Sequence, residues 1–169
     1  MRITSALVLF FRKSIFGNWV RVPGGISMRI GDNIVKLPTS EHVFMALKAL
    51  HFKDYSTLDQ IIKTDSPKEA KKLGRLVKGF NEEDWEKERE NAMWQAIKLR
   101  YIYDSSFRVE LMRPDYIGKE FVECNPYDFI WGCGWEEDSP QALNPLYWKG
   151  LNLLGKLLTR LRDECCSGN

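Results

Sequence analysis

Two ionisable residues seven positions apart, Glu41 and Lys48, are where chemistry could begin in this chain. They lie in KLPTSEHVFMALKAL, residues 36–50. Seven residues of α-helix turn through about 700°, so a helix here would put both on one face, roughly 10 Å apart along its axis. Phe44 and Met45 fall between them on or near that face. The strip would be apolar in the middle, with a carboxylate at one end and an ammonium at the other. A carboxylate held ionised by the free N–H groups of a helix start can stabilise positive charge developing on a substrate. A partly buried lysine can lose its proton and act as a nucleophile. Both residues also have plainer readings: Glu41 complements the helix dipole, and Lys48 snorkels from a helix edge. His42 is one of two histidines and lies about 100° round from Glu41. With no metal-ligand partner beside it, His42 reads first as a capping or packing residue and second as an acid–base group.

The elements that must position these residues can be read from pattern and punctuation. Leu7 to Phe11 is a short apolar run with the character of a buried strand. Ile26 to Ile30 and Ile34 to Leu37 flank Gly31-Asp32-Asn33 and predict a hairpin. Thr39 or Ser40 caps the helix that carries Glu41 and Lys48. Ser66-Pro67-Lys68-Glu69 predicts a second helix start, and Gly79 its end. Asn81, followed by Glu82, Glu83 and Asp84, predicts a long helix whose inner face is Trp85, Ala92, Ala96, Leu99 and Tyr103. A short helix near 106–112 and a strand over Tyr116 to Val122 follow. ECNPYDFIWGCGWEEDSPQALN then reads as a long loop, the kind that carries function. Asn144-Pro145 predicts the start of a last helix, with core positions Leu151, Leu154, Leu158 and Leu161.

The 169 residues suit one domain, with residues 8–163 as its core and 164–169 as a flexible tail. The 44% apolar and 28% charged composition is that of a globular protein. A net charge of +2 is too small for a dedicated nucleic-acid binder, yet leaves room for one phosphate-sized basic pocket. Arg75, beside Gly74, is the candidate phosphate contact in a lysine-rich stretch that otherwise reads as a solvated helix face. The four cysteines, Cys124, Cys133, Cys165 and Cys166, lack zinc-site spacing, so no metal is expected. With no apolar run of membrane-spanning length and no convincing leader, the expected location is cytoplasmic. Asp128 and Trp131 stand out in the long loop, where Asp128 has the plain alternative of capping a turn.

Several short pieces occur together in a familiar order. They are Phe16-Gly17-Asn18-Trp19; Pro38-Thr39-Ser40-Glu41-His42 with Phe44, Ala46 and Lys48; and Ser66-Pro67 with Ala70 and Gly74-Arg75. Trp85, Asp128-Phe129-Ile130-Trp131-Gly132, and Gly150-Leu151-Asn152-Leu153-Leu154-Gly155 with Arg162 follow. This pattern resembles the NADAR, or YbiA-like, family over about residues 8–163. The resemblance implies an α+β fold, mostly helical, with a small N-terminal hairpin or sheet packed on a helical body. It implies cleavage of an N-glycosidic bond, with no cofactor. The substrates associated with the family are ADP-ribose joined to guanine, including ADP-ribosylated nucleic acid, and phosphorylated ribosylaminopyrimidine intermediates of riboflavin synthesis. Glu41, Lys48 and Asp128 fall on the catalytic positions, and Asn18, His42, Arg75, Trp85 and Trp131 are the candidates for binding substrate. The chain departs from the pattern at Gly17, at Cys133, and in an insertion from Glu136 to Pro145. A non-catalytic module that binds ADP-ribose or a nucleotide is the alternative.

Two routes for bond cleavage follow from the chemistry. In one, Glu41 and Asp128 stabilise an oxocarbenium-like ribose while a tryptophan stacks on the departing base. In the other, the glycosylamine opens to an imine and Lys48 attacks it, holding the sugar as a Schiff base until water releases it.

Overall fold

The computed structural model describes residues 1–167. The chain sorts into two compact units, Asn18–Ser105 and Met1–Gly17 with Ser106–Asn169, and each is described on its own.

The first unit is a hairpin on a group of helices. Strands β3 (Ile26–Ile30) and β4 (Asn33–Leu37) pair antiparallel, Ile30 opposite Asn33, so the turn is Gly31-Asp32 alone. Ile26, Met28 and Leu37 turn inward, and the hairpin packs against α1 (Ser40–His51), α2 (Tyr55–Lys63) and α4 (Glu82–Tyr103). Each helix start follows local chemistry. Thr39 caps α1, Asp54 caps α2, Ser66 caps α3 (Pro67–Arg75) and Asn81 caps α4, each side chain accepting a first-turn N–H. Helix α1 is central, in contact with α2, α3 and α4. Its approach to α3 depends on Gly74, where an added Cβ would stand 1.9 Å from the Met45 sulfur.

Two expectations for these helices need correcting. Helix α3 ends at Arg75 with Leu76 as its cap, four residues before Gly79, which instead lies in the turn leading to Asn81. The inner face of α4 is Trp85, Arg89, Ala92, Met93, Ala96, Ile97 and Arg100, while Leu99 is half-buried and Tyr103 exposed. The last buried turn belongs to Arg100, whose Nε donates to Asp104 at 3.0 Å, while Tyr103 faces outward.

The second unit is built on a three-stranded sheet in the order β1 (Arg2–Ile3), β2 (Leu7–Phe10), β5 (Glu120–Glu123), with β1–β2 antiparallel and β2–β5 parallel. Every residue of β2 is buried, as expected of a central strand covered on both faces. Phe10, Phe16, Phe107, Tyr116 and Phe121 form one aromatic core, with Phe16 in edge-on contact with the other four. Leu7, Leu9, Val122, Cys124, Cys133 and Ala142 form a second cluster. A short helix, α5 (Ser105–Leu111), leads towards β5. The strand expected over Tyr116 to Val122 is shifted: Pro114–Tyr116 is a single 3₁₀ turn and β5 starts at Glu120.

The last helix, α6, runs from Leu153 to Ser167. Asn144-Pro145 does not begin it and opens only a 3₁₀ turn, Pro145–Tyr147. Leu151, expected in its core stripe, lies before the helix and is exposed; Leu154, Leu157, Leu158 and Leu161 carry the packing. Residues 164–167, expected as a tail, are helical; 168 and 169 lie outside the described residues. Asn152, at φ 52°, joins α6 to the sheet. Its Oδ1 accepts the Glu123 N–H at 2.9 Å, and its Nδ2 donates to the Phe121 carbonyl at 3.0 Å. Gly155 lets the helix sit there, since an added Cβ would stand 2.2 Å from that same carbonyl oxygen.

Candidate active site

Helix α1 delivers the pair that the sequence singles out. Thr39 has extended backbone and its Oγ1 accepts the His42 N–H, which caps the helix that begins at Ser40. The Glu41 N–H donates to the Asn18 carbonyl at 3.1 Å, so the Asn18 backbone completes this helix start. Glu41 and Lys48 are both buried, at 5% and 9% exposure, with Phe44 and Met45 buried between them. A charged group at each end of an apolar, enclosed strip is costly unless something uses or satisfies it.

Lys48 has an unusual environment. Its Nζ lies 4.0 Å from the centroid of Phe80 and 5.6 Å from that of Trp85. Among the described residues this nitrogen has no hydrogen bond and no ion pair. Burial lowers its pKa below that of an ordinary lysine; Glu82 opposes the shift and Arg75 adds to it. An amine so placed gives up its proton more easily than a surface lysine, which is the property a nucleophilic lysine needs.

The other candidates of this unit take different parts. Trp85 is 6% exposed, with Phe44, His51 and Phe52 around it at ring-centroid distances of 5.5, 6.0 and 6.2 Å. It is a wall of the Lys48 environment more than an open platform for a base. Arg75, at the end of α3, is exposed and acts on Lys48 through its field. The Asn18 side chain turns to the Met93 sulfur at 3.4 Å. His42 is fully buried, its Nδ1 2.8 Å from the Thr39 hydroxyl oxygen, and burial drives its pKa down to about 4. In that position the neutral imidazole packs on the helix cap and is sealed from solvent.

Asp128 and Trp131 belong to the second unit. Asp128 Oδ1 accepts the N–H groups of Ile130 and Trp131 at 3.1 and 2.9 Å, so it does cap its loop. The long segment around it is tied to the sheet: the Cys133 N–H donates to the Glu123 carbonyl at 2.8 Å, and the Cys133 carbonyl accepts from Lys149 and Gly150. Cys133, at the point of departure from the family pattern, is a core residue of the cluster with Leu7, Leu9 and Cys124. The insertion after it is pinned by tryptophans, Trp135 Nε1 donating to the Tyr147 carbonyl and Trp148 Nε1 to that of Ala142.

One residue beside Lys48 escapes the motif reading altogether. Phe80 is 40% exposed, and its ring centroid lies closer to the Lys48 nitrogen than that of Trp85, at 4.0 against 5.6 Å. The signal was available: Phe80 precedes the cap Asn81 and Trp85 follows it by four, which is hydrophobic-staple spacing.

Comparison with known proteins bears on the family and the fold. Residues 10–165 match the family model described as the NADAR domain. Protein irg-1 of Caenorhabditis elegans is 29% identical over 174 residues, covering 95% of this chain and 80% of that protein. N-glycosidase R617 of Acanthamoeba polyphaga mimivirus is 30% identical over 134 residues, covering 79% of this chain and 78% of its own. Among solved structures, the NMR structure of the E. coli protein YbiA matches with a TM-score of 0.71, covering 99% of this chain and 89% of that one. At 24% identity that likeness speaks to the fold alone, and this chain is α+β, about 50% helical with a small sheet.

Proposed function

This chain belongs to the NADAR family, and from that premise we infer that it is a hydrolase of N-glycosyl bonds. The substrate we propose is a phosphorylated ribose or an ADP-ribose joined through C1′ to an amino group of a base. Guanine, free or in nucleic acid, and a ribosylaminopyrimidine phosphate are the two candidates. The observation that carries the proposal is the face of α1: Glu41 at its capped start and, two turns on, an enclosed Lys48 with no ion pair among the described residues.

Lys48 in its uncharged form adds to C1′ of the ring-opened imine. The base leaves as its free amine once a proton reaches its nitrogen, and the sugar stays on Nζ as a protonated Schiff base. Water then adds to C1′, the C–Nζ bond breaks, and the sugar departs as the aldehyde with Lys48 restored. Glu41, held at the positive end of the helix, stabilises the cationic imine carbon and orients that water. The environment of Lys48 favours this route over direct hydrolysis, which needs no lowered lysine pKa.

The test is release of free base from both substrates in parallel. Wild type should release base from at least one, and Glu41→Gln should slow that release by about 10²-fold or more without unfolding the chain. Binding of the substrates with no base released from either would leave the non-catalytic module as the correct reading.

A further inference from the structure

Part of the aromatic cover of Lys48 comes from a residue that no motif assigns. Phe80 lies just before the cap of α4, and its ring centroid stands 5.4 Å from that of Phe52. Phe52 in turn packs against Trp85 at 6.2 Å, and both are less exposed than Phe80, which is 40% exposed. Phe80 is therefore the part of the enclosure that faces water. The Lys48 Nζ sits 4.0 Å from that ring, near the van der Waals limit, so the ring occupies space that solvent would otherwise fill.

We propose that Phe80 is a positioning residue for the reaction: its ring, with Trp85, keeps water off the Lys48 nitrogen and holds that nitrogen in place at the end of the α1 strip. The proposal rests on the reading of Lys48 as the nucleophile. Two effects of the ring compete. A ring face favours the charged ammonium, whereas exclusion of water favours the free amine. Burial is the largest influence lowering the Lys48 pKa, and replacing the ring by an aliphatic side chain separates the two effects. The charged groups that bear on the nitrogen are Glu82 on α4 and Arg75 on α3, both exposed and screened. The His51–Asp84 pair, 2.8 Å apart, lies beside Trp85 and does not reach Lys48 by any hydrogen bond.

The experiment is trace acetylation of the full chain with acetic anhydride across pH, with the Lys48 peptide quantified by mass spectrometry. It reads the titration of this one amine with no substrate present. Phe80→Ala should move the Lys48 midpoint upward by on the order of one pH unit. Phe80→Leu keeps apolar cover without the ring face, so its midpoint should move less than that of Phe80→Ala. No upward movement in Phe80→Ala, or an equal movement in both variants, would overturn the proposal. If wild type releases base, the acid limb of its kcat/KM profile should move with the labelling midpoint. If wild type releases none, the N-glycosidase reading fails and the positioning role with it, while the labelling still decides whether Phe80 keeps water off the Lys48 nitrogen.

Discussion

At the scale of single residues, the two groups next to each other at the start of α1 have opposite fates. Glu41 is left at the end of the strip, while His42 is sealed in the core with its ring on Thr39. The burial of His42 has a consequence for pH. Its pKa falls from about 6.5 unfolded to about 4 folded, so the folded state prefers it neutral. The associated stability is present above pH 6.5 and is lost as pH falls towards 4. Between pH 7.5 and 4.5 this amounts to roughly 2–3 kcal/mol. Urea denaturation of wild type and His42→Gln should show that loss shrinking by about that amount in the variant. An unchanged loss would mean that the imidazole is not held neutral. Asp128 poses a different question, because its Oδ1 caps the loop whether or not its charge is used. Asp128→Asn keeps an acceptor at that position and removes the charge. If the carboxylate takes part in the reaction, as the family pattern implies, Asp128→Asn should keep its melting temperature and lose most of its base release. Full activity in that variant would reduce Asp128 to a loop cap.

At the scale of elements, close approach explains two glycines that the family pattern contains and that look interchangeable in sequence. At Gly74 the obstacle to a Cβ is the sulfur of Met45, near the end of a flexible side chain. At Gly155 it is the backbone carbonyl of Phe121, with the Asn152 amide on the other side. A methionine can swing away, and a strand that Asn152 and α6 both hold cannot. Gly74→Ala should therefore cost about 1–3 kcal/mol, and Gly155→Ala more than Gly74→Ala, in denaturant titrations. Equal costs would show that α6 shifts on the sheet as easily as Met45 rotates. Caps and the hairpin were legible because each is a local agreement of a few residues: Thr39, Ser66-Pro67, Asn81 and Gly31-Asp32 all signal what they do. The start of α6 was not, because Asn144-Pro145 mimics a helix start and spends it on one 3₁₀ turn. The true start follows Asn152, whose positive φ and two bonds to β5 are made only once the sheet exists.

At the scale of the whole molecule, the parallel pairing of β2 with β5 joins segments more than a hundred residues apart, which no local pattern announces. Ordered short motifs made the family legible from about residue 8 to 163, close to the matched range of 10–165. Phe80 stayed hidden because its importance lies in what it touches, the Lys48 ammonium, and a staple residue looks the same whether or not a nucleophile sits beneath it. The proposed reaction turns on that nitrogen. Sodium borohydride added during turnover reduces a Schiff base to a stable secondary amine, and peptide mass spectrometry locates it. Base release accompanied by a reduced sugar adduct on Lys48, absent in Lys48→Met, is the predicted result; base release with no adduct on Lys48 would contradict the account.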